Sequence, residues 1–224
     1  DFFAVLTQNT AISHFLHTIS FAFFTAGAFM AGISAWLLVR GKSVDVVKPT
    51  LRLGVITVLI SFLSIVVTGD YIAKIMVQQQ PMKMAAAEAL FDSKPSAPFS
   101  LFTIGSLDGS HAVFQIGIPS LLSLMSTGKT TGVVEGVNDL EKQYNAKYGK
   151  DSYVPVIWLA YWSFRLMIGF GVIAAFFALL TLWNLRRKNE VPSAKWFAPA
   201  MIWMPFLPLL ANSFGWIFTE TARQ

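Results

Sequence analysis

Four long apolar runs constrain this chain more than any other feature of it. They occupy roughly residues 15–39, 53–76, 155–183 and 196–218, and each can cross a hydrocarbon core, which takes ~20 residues at the helical rise. In lipid a segment must satisfy its own backbone groups. These runs also lack the alternate-residue pattern of a barrel strand, so helices are expected. Pro199, Pro205 and Pro208 in the last run predict a bent helix there. The expected fold is all-α: a polytopic transmembrane helical bundle of four spans with a long extracytoplasmic loop. Composition agrees, since only 13% of residues are charged and the mean hydropathy is +0.57.

A net charge of +5 could point to nucleic acid, but the basic residues cluster beside the apolar runs. Arg40, Lys42, Lys48 and Arg52 stand against Asp45 between the first two spans, and Arg186, Arg187, Lys188 and Lys195 against Glu190 between the last two. By the positive-inside rule both short loops belong on the cytoplasmic side, so the expected partner is a lipid bilayer and not nucleic acid. The chain divides into residues 1–76 with two spans, 77–154 as an outer loop, and 155–224 with two more. It opens on DFFAVLTQNT, without an initiator methionine or a basic leader, and stops at TETARQ. It is expected to be a piece of a longer protein.

The outer loop is too long for a connector. QQQPMKMAAAEALF predicts a short helix closed by a Pro/Ser stretch. AVFQIGIPSLLSLM is apolar but too short to span, and is expected in the membrane interface or re-entering the protein. Val133, Val137, Leu140 and Tyr144 fall at helical spacing opposite charged residues, an amphipathic helix suited to lie over the membrane part.

Polar side chains inside such runs are costly, so each is a functional candidate. There is no cysteine, and any metal or cofactor must rely on His, Met, carboxylates or backbone. His14 and His17 sit at the outer mouth of the first span. His14, nearer the surface, is read as an interfacial side chain bonded to water or backbone. Arg165, in YWSFRLMIGFG, lies deep in the third span, where the first and third spans offer no Asp or Glu at its level. Met167 is close by, and His with Met is an axial pair for low-spin haem iron. Haem propionates would supply the anion that Arg165 lacks. The first and third spans run inward from the same side, which puts His17 and Met167 at similar depth. Asp70 and Lys74, four apart, read as a helical ion pair. Lys83 and Glu88 form either a solvated face or contacts to a polar head group. Trp216 and Glu220 mark the interface, or, for Glu220, a carboxylate facing a metal or proton path.

FLHTISFAFFTAGAFMAGISAWLL, MKMAAAEALF, YWSFRLMIGFG and GWIFTETARQ occur in the order found in subunit I of cytochrome bd quinol oxidases. The chain resembles the carboxyl-terminal part of that subunit. The resemblance implies that His17 and Met167 are the axial ligands of the low-spin haem b, with Arg165 beside it. Lys83 and Glu88, in K-x-x-x-x-E, would belong to the quinol-binding loop. Glu220, in GWxxxE, would attend the high-spin haem b, and Trp216 would lie between haems. His14 matches no ligand. Ala222 stands where the family has glycine, and the Pro-Trp of its closing motif is absent. The family's first four helices, with the histidine that holds haem d, are expected in the rest of the longer protein.

The implied activity is quinol oxidation at the outer face of a bacterial plasma membrane, with reduction of oxygen to water, in a complex with subunit II. The implied cofactors are low-spin haem b, high-spin haem b and haem d. Two other classes fit the residues alone: a haem-free membrane transporter in which Arg165 and Asp70 line a path, and a simple membrane cytochrome b.

Overall fold

The computed structural model describes residues 1–106, 110–187 and 195–223. The element order is α1 (Phe2–Leu6), α2 (Asn9–Val39), α3 (Val44–Gln79), α4 (Pro81–Glu88), β1 (Lys94–Pro95), β2 (Phe99–Gly105), β3 (Ala112–Ile118), α5 (Leu121–Thr127), β4 (Val133–Val134), α6 (Val137–Tyr148), α7 (Ile157–Arg187), α8 (Phe197–Trp203) and α9 (Phe206–Thr221). Contacts divide it into two compact units, residues 1–69 with 167–213, and 70–166 with 214–224.

Helices α2, α3 and α7 are long and apolar enough to cross a membrane, and α8 with α9, bent by 46° at their junction, make a fourth candidate if the pair is taken as one span. Pro205 is the cause of the bend: it has no N–H to give and its ring crowds the carbonyl four residues back. Around it the chain turns through tighter bonds, Met204 N–H to the Met201 carbonyl at 3.2 Å and Leu207 N–H to the Met204 carbonyl at 3.1 Å. Pro199 and Pro208 fall in the first turns of α8 and α9, where an N–H has no intrahelical partner to lose. The basic stretch expected as a loop after the first span is largely helical, because α3 starts at Val44 and holds Pro49 inside it. The corresponding stretch between the last two spans lies, at residues 188–194, outside the described residues.

The first unit packs around a face of small residues. Ala28, Ala31 and Ala35 of α2 are buried against Leu51, Val55 and Val58 of α3, with Ala174 and Ala178 of α7 in the same core. Lipid tails are as apolar as leucine, so helix association in a membrane depends on close packing and small residues supply it. Gly27 and Gly54 mark a close approach of α2 and α3. A Cβ on Gly27 would lie 2.9 Å from the Gly54 carbonyl oxygen, and one on Gly54 would lie 2.9 Å from the Ala31 nitrogen.

In the second unit α4 is the buried centre. Its alanines let neighbouring elements come close, and it ends in a left-handed residue, Ala89, with the Leu90 N–H on the Ala85 carbonyl at 2.9 Å, a Schellman closure made without glycine. The expected helix in the MKMAAAEALF segment is therefore present. Of the segment expected at the interface, Ala112–Ile118 form β3, paired antiparallel with β2, and the remainder enters α5. The seven residues of β3 include Val, Phe and two Ile, which suit a pleated strand, and the matching run FSLFTIG satisfies its backbone. Val133, expected in the amphipathic helix, belongs to β4, which pairs with β1. The helix itself is α6, starting at Val137. Its apolar residues Val137, Leu140 and Tyr144 pack on Met82 and Ala85 of α4, so that face is already covered by the loop's own helix.

Candidate functional site

Glu88, the last residue of α4, is 1% exposed. Its Oε2 accepts from Arg165 Nη2 at 2.6 Å and from the Ser100 backbone N–H at 3.1 Å. The Arg165 side chain is 10% exposed, and its guanidinium lies 4.6 Å from the Phe99 ring and 5.0 Å from the Tyr161 ring. Tyr161 also binds Ser100: their hydroxyls are 2.8 Å apart, and Ser100 Oγ is 2.6 Å from Thr103 Oγ1. Tyr161 thus touches both the cation and the strand that caps the carboxylate. Burial pushes the Glu88 carboxyl up to about 6 from its ordinary 4.5, against the opposing pull of Arg165 and the Ser100 N–H. Within this pocket Glu88 Oε1 and Arg165 Nε and Nη1 are buried without a hydrogen-bond partner.

The pair corrects the reading of Arg165 as lacking a protein anion. Its carboxylate comes from 77 residues earlier in the chain, from a loop helix and not from a span, which is why inspection of the spans missed it. It also excludes the solvated-face reading of Glu88. Lys83 and Glu88 are five residues apart on one helix, so their side chains leave the axis about 140° apart. Lys83 accordingly has other neighbours. It is half-buried, donates to the Thr219 carbonyl at 3.3 Å and lies 5.1 Å from the Phe218 ring. Burial lowers its ammonium from the usual range, with Glu220 opposing.

His17, on α2, is half-buried, and its Nδ1 lies 2.9 Å from Thr68 Oγ1 on α3. Met167, on α7, is also half-buried. A ring held at Nδ1 keeps Nε2 for a ligand, and with a thioether this is the donor chemistry of six-coordinate haem iron. The residues fit such a group. In the second unit, Arg165 Nε and Nη1 remain without a hydrogen-bond partner although Glu88 neutralises the guanidinium. Among the described residues no cluster of three His, Asp or Glu side chains stands ready for a bare metal ion.

The remaining candidates divide by exposure. Trp216 is 62% exposed, and Glu220, one turn on, is exposed and 3.5 Å from Arg223 Nη1. Asp70 and Lys74 form the expected exposed pair at 2.6 Å. His14 is exposed with Nδ1 2.7 Å from its own helix's Thr10 carbonyl, in line with an interfacial side chain. Sequence reasoning passed over Thr68, Ser100 and Tyr161. Tyr161 carried a usable signal, because it lies one turn before Arg165 on the same helix face. The other two carried none.

The helices and donors define a membrane protein of several candidate spans, with a histidine and a thioether in one unit and a buried acid–base pair in the other. The chain belongs to the family of cytochrome bd terminal oxidase subunit I, whose model matches residues 1–224. It is 36% identical to cytochrome bd ubiquinol oxidase subunit 1 of Bacillus subtilis, over 100% of this chain and 48% of that protein. It is 24% identical to the cytochrome bd-II ubiquinol oxidase subunit 1 of Escherichia coli, over 94% of this chain and 52% of the relative. The solved structure of bd oxidase from Geobacillus thermodenitrificans matches with a TM-score of 0.79 at 26% identity, covering 96% of this chain and 48% of that one. The chain therefore spans about half the length of the relatives it matches. Membership agrees with a bacterial membrane setting, as do the apolar helices long enough to span one.

Proposed function

We propose that this chain forms the electron-entry part of a cytochrome bd-type terminal oxidase, which oxidises quinol near the outer membrane face and reduces oxygen to water together with subunit II. His17 and Met167 would hold the low-spin haem b, with Arg165 at its edge, while Glu220 and Trp216 would attend the high-spin haem b. When bound, the haems supply one-electron transfer, and haem d supplies the reduction of oxygen.

This chain's own residues handle the quinol. Each quinol gives up two electrons and two protons, and two quinols match the four electrons and four protons that turn one oxygen molecule into two waters. Glu88 Oε1, free of partners, is suited to accept a quinol hydroxyl proton. Its carboxyl at about 6 is mostly ionised at neutral pH yet basic enough to take that proton, the compromise a general base needs. Arg165 keeps it ionised and aimed, and the Ser100 N–H fixes its second oxygen. Lys83, whose side chain leaves α4 on another face toward Thr219 and Phe218, would belong to the quinol-binding segment without sharing the contact made by Glu88.

The observation that carries this reading is the 2.6 Å bond between Arg165 and Glu88. It ties the helix with the quinol-loop spacing to α7, two residues before Met167. The test is a reduced-minus-oxidised absorption spectrum of the full-length protein in membranes. A low-spin b-type band is expected in the wild type, lost in His17→Ala and lost or shifted in Met167→Leu. Well-folded wild type without such a band would overturn the reading.

A further inference from the structure

The His17 ring has two nitrogens, and its neighbours on α3 decide which one is left for iron. Thr68 has a single hydroxyl proton. Its Oγ1 lies 2.8 Å from the Ser64 carbonyl and 3.3 Å from that of Ile65, and carbonyl oxygens only accept. With that proton donated to α3's own backbone, the hydroxyl accepts toward His17 Nδ1, 2.9 Å away. His17 Nδ1 must then carry the hydrogen, which leaves the lone pair on Nε2.

Two further contacts fix the orientation. Seen from Gly69, a Cβ there would stand 3.5 Å from His17 Cε1 and 3.9 Å from Nδ1, so the ring lies with its Nδ1–Cε1 edge toward α3. One turn along, Ser20 donates to the Leu16 carbonyl at 2.8 Å and meets Ser64 Oγ at 2.7 Å, so a second hydroxyl link joins α2 and α3 next to the first.

We propose that Thr68 is a positioning residue for the haem ligand His17: its hydroxyl fixes the Nδ1–H tautomer and the ring rotation, so that Nε2 is the ligating atom, and it tunes the iron through that hydrogen bond. This rests on the reading of His17 as a ligand. An acceptor on the distal ring N–H raises the basicity of the ligating nitrogen, which favours ferric iron and lowers the potential. Thr68 touches no reacting atom and acts through His17.

The test uses the full-length oxidase in membranes, with redox titration of the low-spin haem b and its low-temperature EPR g-values as readouts. Thr68→Val keeps the shape and removes the hydroxyl; its midpoint potential should rise and its g-values shift. Thr68→Ser restores the hydroxyl and should return both to wild type. Should Thr68→Val fail to assemble, Thr68→Ala against Thr68→Ser makes the same comparison. Wild-type potential and g-values in Thr68→Val, while His17→Ala loses the haem, would overturn the role of Thr68 and leave the ligand assignment standing. A Thr68→Ser protein as altered as Thr68→Val would also overturn it, showing that the methyl group matters and not the hydroxyl. Retention of the low-spin haem in His17→Ala would remove the ligand reading and this proposal together.

Discussion

Replacing Arg165 with leucine tests the buried pair through its pH dependence. The Glu88 carboxyl is raised from 4.5 to about 6 in the folded protein. The folded state therefore binds the proton more tightly than the unfolded one between those values. Stability from this group is fully present below 4.5 and is lost as pH rises through 6, a fall of about 2 kcal/mol at 1.36 kcal/mol per pKa unit. Above 6 the wild-type contribution levels off. Arg165 supplies both the charge and the hydrogen bond that hold the carboxyl down, so in Arg165→Leu it climbs well past 6. The decline then continues, and the gap between variant and wild type should widen by about 1.4 kcal/mol per pH unit above 6. Other titrating groups cancel in that difference. Glu88→Leu behaves differently, because it strands a guanidinium that cannot lose its proton; its deficit of about 3–5 kcal/mol should be flat above pH 6, and about 2 kcal/mol larger below 4.5, where the wild type keeps the stability that its raised carboxyl supplies. The assay is detergent-induced unfolding of the purified full-length protein from pH 4 to 8. Parallel curves for Arg165→Leu and wild type would refute the reasoning, since they would mean that Arg165 does not set the ionisation of Glu88.

Two other expectations follow from the geometry. Lys83→Ala should slow quinol oxidation with haem content near wild type, as read by oxygen uptake beside the difference spectrum; loss of all haem would make Lys83 structural. Gly27→Val places side-chain carbon where a Cβ is already 2.9 Å from the Gly54 carbonyl, and should lower stability by about 1–3 kcal/mol in the same unfolding assay. Gly169→Ala, where nothing lies within 4 Å, serves as the control and should be neutral or gain up to about 1 kcal/mol.

Local pattern determined much of this protein. Hydropathy and length placed the spans, because a membrane-crossing helix must satisfy its own backbone and so announces itself in consecutive residues. Pro205 foretold the bend, and the helical spacing of α4 and α6 was visible with it. The residue types around His17, Met167, Lys83 and Glu88 named the chemistry to look for. The strand β3 was not legible, since a short apolar run bounded by Gly and Pro fits a strand, an interfacial segment or a buried helix equally well until its partner is known.

Tertiary structure alone decided the pairings. Arg165 meets a carboxylate 77 residues away, and His17 meets a hydroxyl 51 residues away. Periodicity reports which face of one helix a residue occupies, but not which other helix comes to cover that face. That depends on where small residues let backbones approach, as Gly27 and Gly54 do. It also depends on which buried charge finds its counter-charge once water is gone. The sequence by itself held the donors and the spans; only the folded chain determined that Glu88 is a buried partner and that Thr68 orients the histidine.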